Sequence, residues 1–319
     1  MTQIDLVSWD DPVATRLRDA QQRELADLYG EPDIGHDMTG ADIAAMVLLR
    51  DGDDPVACGA IRDLGDGVGE LKRMYVVPGH RGRGHARAVL TELERIAKNT
   101  GFTRLVLETG VLQVEAMGLY MSAGYRSIPN FGEYAAETSS RCFTKDLDAG
   151  PRRAGAKHPG TLTLRRVAWD HPDAVALRYA MWLDIEVRYP EIVEVTPGGF
   201  AADDPRQGIG TISSVVADLD GVPVGCASLR AARDGYPQGS GELKKVWVND
   251  EARGAGAARA LLSAIEDDAR AVGLTSVVLQ TGIRQPEAVT LYLSAGYRPI
   301  RPFGPYTDDL LSLLFGKGL

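Results

Sequence analysis

The chain repeats itself, and the repeat is long. Glu70–Tyr134 aligns with Glu242–Tyr306 without a gap at an offset of 172 residues, and about half of the positions are identical. The same offset carries Phe143, Lys145 and Leu147 onto Phe315, Lys317 and Leu319. Upstream, VSWDDP (Val7–Pro12) matches VAWDHP (Val167–Pro172) at 160, and PVACGAIR (Pro55–Arg62) matches PVGCASLR (Pro223–Arg230) at 168. The extra residues of the second copy therefore fall in its early loops. A period of this length is a full domain, not a solenoid unit. The 319 residues thus divide into a domain over 1–147, a linker over 148–160 rich in Gly, Pro and charge, and a domain over 161–319.

Each copy reads as a mixed α/β module. In the first, a strand at Ile4–Val7 leads into a helix opened by Asp10, Asp11 and Pro12, with Val13, Leu17, Ala20, Leu25 and Leu28 in a helical stripe. Strands at Ala44–Leu49 and Val56–Arg62 flank the turn residues Asp51–Asp54, and the second copy carries Asp220-Gly221 at the matching place. Further strands are expected at Glu70–Val77, Leu105–Glu108 and near Ser140–Leu147. A helix running to about Thr100 and a short one at Glu115–Ala123 separate them. The order lacks the regular alternation of a doubly wound sheet.

Bulk properties narrow the function. With 44% hydrophobic and 25% charged residues the chain is an ordinary globular sequence, and no apolar run approaches the roughly 18 residues that would span a bilayer. MTQIDLVSWDDP has neither the basic nor the apolar region of a secretory leader. Cys58, Cys142 and Cys226 follow no paired spacing, as expected of buried free thiols in a reducing cytoplasm. A net charge of −9 argues against nucleic-acid binding and suits a cationic small molecule. The five histidines show no metal-ligand spacing, so no metal is expected.

Between strand and helix lies Arg81-Gly82-Arg83-Gly84-His85-Ala86-Arg87, repeated as Arg253-Gly254-Ala255-Gly256-Ala257-Ala258-Arg259. The first amides of a helix lack intrahelical partners and sit at the positive end of its dipole. Glycines let that backbone approach a phosphate, and arginines add charge-assisted hydrogen bonds. The loop can therefore cradle a diphosphate, or it can be a plain connecting turn. It is not a Walker A motif, because no Gly-Lys-Ser/Thr follows. Nor is it a dinucleotide fingerprint, since Arg87 stands at the third glycine position.

A strand, an Arg-x-x-Gly-x-Ala loop opening a helix, and LYMSAGY (Leu119–Tyr125) or LYLSAGY (Leu291–Tyr297) downstream together resemble the GNAT superfamily of acyl-CoA-dependent N-acetyltransferases. The tandem arrangement resembles that of mycothiol synthase-type proteins, which points to a catalytic C-terminal half. The resemblance implies two GNAT-like domains, each a mostly antiparallel sheet, splayed at a bulge and flanked by helices. It implies acetyl-CoA as cosubstrate, its pyrophosphate on the amides of Arg81–Arg87 and Arg253–Arg259. Its pantetheine would pair with the strand edge at Met74, Tyr75 and Val76, or at Val246, Trp247 and Val248.

Acetyl transfer to an alkylamine needs a proton acceptor, because such an amine has a pKa of roughly 10. It also needs an acid for the departing thiolate. By the same resemblance Glu70 and Glu242, eleven residues before the loop arginine, stand where a catalytic glutamate acts as base; the alternative is a strand glutamate paired with Lys72 or Lys244. Tyr120 and Tyr292 match the thiolate-protonating tyrosine, and Gln113 and Gln285 are plausible CoA contacts. His80, Arg83 and His85 surround the first loop, whereas Asp250 and Glu251 precede the second, so tighter CoA binding is expected in the first copy. The expected reaction is direct attack in a ternary complex on an amine of a small molecule or peptide. The rival is an acyl-CoA-binding regulatory or scaffolding protein. The chain is expected as a monomeric pseudo-dimer or a homodimer.

Overall fold

In the computed structural model, which describes residues 2–30, 38–148 and 160–319, strands and helices alternate irregularly along each half. The chain divides into two compact units, Met1–Gly150 and Pro151–Leu319. Most of the expected linker lies outside the described residues.

The first half runs β1 (Thr2–Val7), α1 (Pro12–Tyr29), β2 (Ile43–Asp51), β3 (Asp54–Asp63), β4 (Val68–Val76), α2 (His85–Asn99), β5 (Arg104–Gly110), α3 (Val114–Ser122), β6 (Arg126–Ile128) and β7 (Ser140–Asp146). Its sheet has the order β1-β2-β3-β4-β5-β7-β6. β4 and β5 are parallel, and the other neighbours are antiparallel.

The second half repeats the plan with β8 (Leu162–Val167), α4 (Pro172–Arg188), α5 (Ile192–Val195), α6 (Gly199–Gln207), β9 (Thr211–Leu219), β10 (Val222–Ala231) and β11 (Ser240–Val248). Then come α7 (Ala257–Ala271), β12 (Ser276–Gly282), α8 (Pro286–Ser294), β13 (Arg298–Pro299) and β14 (Ser312–Gly318). Its sheet order, β8-β9-β10-β11-β12-β14-β13, is the same.

Local chemistry explains the helix starts. Asp11 caps α1, its Oδ1 accepting from the amides of Val13 and Ala14 at 2.9 Å each, and Pro12 occupies the first turn where no amide is needed. α1 lays Ala14 and Leu17 on Met46, Leu48, Cys58 and Ala60. On the opposite sheet face α2 brings Val89 and Leu93 so close to β3 that Gly59 leaves no room for a Cβ. Both faces of the sheet are therefore covered, which is why β2 and β3 read as continuous apolar runs. α5 and α6 fill the stretch where the second copy is longer; buried Arg178 holds α6 in place through a bidentate pair with Asp204 at 2.6 and 2.8 Å.

Candidate active site

The central strands part company at one point in each half. β4 pairs with β5 only from Val68 to Leu71, and β11 with β12 only from Ser240 to Leu243. Beyond, Lys72–Val76 and Lys244–Val248 diverge from the neighbouring strand. The cause is a bulge: Arg73 (φ 55°) and Lys245 (φ 56°) adopt the left-handed conformation, and the register with β3 or β10 shifts there. Cys58 Sγ and Cys226 Sγ donate to the carbonyls of these two residues.

At the end of each split strand stands the glycine loop. Gly84 and Gly256, both at φ 86°, cap α2 and α7 and supply no side-chain acceptor, so the opening amides face outward unmasked. Arg81, Gly82, Arg83 and Gly84 are exposed, as are Arg253, Gly254 and Gly256; Ala86 and Ala258 are the second residues of the helices. The side chains diverge from the expected cradle in several places. Arg81 pairs with Glu24 at 2.6 Å and donates from Nε to the Val76 carbonyl at 3.0 Å, whereas Arg253 pairs with Asp250 at 2.6 Å. Arg87 and Arg259 reach away from the loop to Ser122 and Ser294, bracing the loop helix against the tyrosine helix. His85 is buried and turned inward, and Ala255 and Ala257 offer only main chain.

The strand edge expected to meet pantetheine is partly paired already. Gln21 of α1 donates to the Met74 carbonyl at 3.0 Å, and Tyr75 lies under the Arg81 guanidinium. Val246 and Trp247 are half-buried and Val248 is buried. Gln113 and Gln285 turn their Oε1 back to the amides of Gly110 (3.0 Å) and Gly282 (2.9 Å), closing the strand-to-helix turn.

Tyr120 and Tyr292, on α3 and α8, are each 5% exposed. Burial raises both phenols well above the ordinary tyrosine range, and in the first half the charge of Glu108 adds to it. Glu70 and Glu242, expected as bases, sit among their neighbours' cations instead. Glu70 lies 3.5 Å from both Lys72 and Arg62 and accepts from Tyr134 at 3.2 Å; Lys72 donates to the same hydroxyl at 2.6 Å. Glu242 is fully buried, is bonded to Arg230, lies 3.4 Å from Lys244 and accepts from Tyr306 at 2.8 Å. Lys244 and Arg230 hold its carboxyl below the usual carboxylate range against the opposing effect of burial.

In the first half the split opens on a cavity of about 490 Å³, whose lining includes Gln21, Lys72, Glu108, Tyr120, Glu133 and Tyr134. Glu70 is not among the lining residues, and Glu108 is a member that sequence reasoning missed. Glu108 is half-buried, and Ser140 Oγ donates to it at 2.5 Å. The second half carries Gln280 at that register position, donating to Ser312 at 2.7 Å. The glutamate-to-glutamine difference between copies was the available signal. The three cysteines are buried, and burial pushes their thiols up to about 12.

Each half thus joins a split sheet, an exposed glycine loop at a helix start and a buried phenol. The acetyltransferase (GNAT) family model matches residues 8–125 and again 179–297, so the chain is a tandem member of that family. An IAA acetyltransferase from Azospirillum brasilense is 42% identical over 108 residues, 34% of this chain and 69% of its own length. The uncharacterized N-acetyltransferase YsnE of Bacillus subtilis is 34% identical over 99 residues, 30% of this chain and 66% of its own. The chain thus spans about two thirds of each relative. Among solved structures, a GNAT family acetyltransferase from Elizabethkingia anophelis with acetyl-CoA bound is 18% identical. It covers 46% of this chain and 97% of its own, at a TM-score of 0.35. Among the described residues no helix is long and apolar enough to cross a membrane.

Proposed function

We propose that the protein is an acetyl-CoA-dependent N-acetyltransferase that acts by direct attack on an amine of a small molecule or peptide. The observation that carries this reading is the first-half cavity, where the strand split, the Tyr120 phenol and the Glu108 carboxylate meet. The donor's pyrophosphate takes the amides of the Arg81–Arg87 loop, and its pantetheine amides replace Gln21 and Arg81 at the Met74 and Val76 carbonyls. Glu108, Glu133 and Glu137 in the lining outnumber Lys72 and Arg73, which suits a cationic acceptor.

The acceptor ammonium gives one proton to a carboxylate, its nitrogen attacks the thioester carbon, the carbon–sulfur bond breaks as Tyr120 protonates the thiolate, and the second proton of the new amide nitrogen returns to the Tyr120 phenolate. We assign the proton-accepting role to Glu108. Glu70 does not line the cavity and lies against Lys72 and Arg62, and Glu242 is buried against Arg230 and Lys244, so these carboxylates serve instead to position Lys72 with Tyr134 and Lys244 with Tyr306. No thiol is poised for an acyl-enzyme, because all three stay protonated at neutral pH. Buried free cysteines also fit a reducing cytoplasm.

One observation favours the rival reading for the second half alone. Gln280 cannot accept a proton, and Asp250 and Glu251 stand before its loop, so that half binds acyl-CoA in a regulatory or scaffolding role. Thiol release from acetyl-CoA against an amine panel tests both assignments. Tyr120→Phe and Glu108→Gln are expected to lower kcat about 100-fold, and Tyr292→Phe to leave most turnover. Undiminished turnover in the double tyrosine variant overturns the acid assignment. Loss of the acidic limb of the pH profile in Glu70→Gln but not Glu108→Gln returns the base to Glu70.

A further inference from the structure

We infer that the first half holds a divalent transition-metal ion, of the zinc type, between Asp51, His80 and His85. The three residues come from separate places: Asp51 ends β2, His80 follows β4, and His85 opens α2. Their ligand atoms all lie within 4.8 Å of one another. Asp51 Oδ2 is 3.9 Å from His80 Nδ1 and 3.8 Å from His85 Nε2, too long for hydrogen bonds.

Both nitrogens are buried, and neither has a hydrogen-bond partner. His85 is only 6% exposed. Leaving one such polar atom unpaired in the interior is unfavourable, and here two converge on one carboxylate. A tetrahedral zinc ion with bonds of about 2.0–2.1 Å separates its ligands by roughly 3.3 Å. Both carboxylate–imidazole spacings are about half an ångström wider and all three ligand atoms lie within 4.8 Å, gaps that small rotations of the half-exposed Asp51 and His80 side chains would close. Two imidazoles and one carboxylate form a donor set suited to zinc rather than to magnesium or calcium, which take oxygen ligands.

The internal repeat supplies an independent argument. The corresponding positions of the second half are Leu219, Ala252 and Ala257, and both alanines are buried. All three polar residues are thus exchanged together for apolar ones in the same fold, as a site is gained or lost as a unit. His80 and His85 flank the loop Arg81–Gly84. An ion there ties both ends of the anion cradle to the β2–β3 turn, a job that plain apolar packing performs in the second half. The inference rests on these side chains alone and stands apart from the reading of acyl transfer.

The test is calorimetric titration of the untagged, chelator-treated full chain with Zn²⁺ alone, beside Asp51→Asn, the single variants His80→Ala and His85→Ala, and the triple variant D51L/H80A/H85A. The triple variant recreates a set of residues that the second half already folds around, and its thermal transition without metal shows that it folds. One Zn²⁺ per chain is expected in the parent, at least about tenfold weaker in each single variant and lost in the triple variant. Zn²⁺ should also raise the Tm of the parent and leave that of the triple variant unchanged. Equal zinc binding by parent and triple variant, or no saturable site in the parent at 100-fold molar excess of metal, overturns the proposal.

Discussion

Glu242 shows how one side chain serves structure before chemistry. It lies between Arg230, Lys244 and Tyr306 with no exposed surface. Removing its charge strands two buried cations, so Glu242→Gln should lower stability by roughly 3–5 kcal/mol in urea melts. Lys244 adds a pH signature, because burial pushes its ammonium down to about 8. At that one group the unfolded chain binds more protons than the folded one between pH 8 and about 10, which favours stability as pH rises. The three buried thiols, held up to about 12, oppose it, because in that window they lose protons first in the unfolded chain. The buried tyrosines, Tyr292 and Tyr306 among them, are shifted upward as well and add to the fall from about pH 10. Tm of the full chain should therefore fall as pH rises from 8 to 10, and Lys244→Met, which removes the opposing gain, should steepen the fall.

At the level of elements, the end of β5 is pinned to α1. The Leu112 amide donates to Tyr29 Oη at 3.2 Å, and Gly110 sits so tightly under that phenol that a Cβ would collide with it. Gly282 and Tyr189 repeat the arrangement, with the Arg284 amide 2.6 Å from the hydroxyl. Gly110→Ala should cost about 1–3 kcal/mol by overpacking, read from the urea midpoint, and Tyr29→Phe should restore part of it by removing the clashing oxygen. Much of this framework was legible beforehand. The apolar runs of β2 and β3, the Asp11-Pro12 start of α1 and the glycine loops follow from local rules. α5 and α6 were not legible, since GFAADDPRQ has an interior proline and no apolar stripe. Tertiary contacts keep α6 in place: the Arg178–Asp204 pair, the Trp169 indole on the Asp204 carbonyl, and Phe200 packed on Tyr179 and Trp182. The surroundings of Glu70 and Glu242 were hidden for a similar reason, because Arg62 and Arg230 reach the two glutamates from a neighbouring strand.

At the scale of the whole molecule, the repeat gives two halves with the same sheet order and different charges at the glycine loop. Arg83 faces the first loop, while Asp250 and Glu251 precede the second. Titration of CoA into the Arg81→Ala and Arg253→Ala variants should show the first-half site to be the tighter. The repeat, the sheet class and the phenol positions could be read from residue order. The proposed division of labour could not, because it turns on which side chains the fold brings together: Glu108 with Tyr120 in the lining of one cavity, and Asp51 with two imidazoles.

The left-handed residue in the middle of each split strand has one more consequence. Arg73 and Lys245 are not glycines, so each holds its unusual backbone at a standing cost of about 1–2 kcal/mol. A kink maintained by covalent geometry and packing exists before any visitor arrives. On the proposed reading the donor's arm has only to displace Gln21 and Arg81 from an edge that the kink has already freed from its neighbour strand, so part of the ordering penalty of association is met during folding.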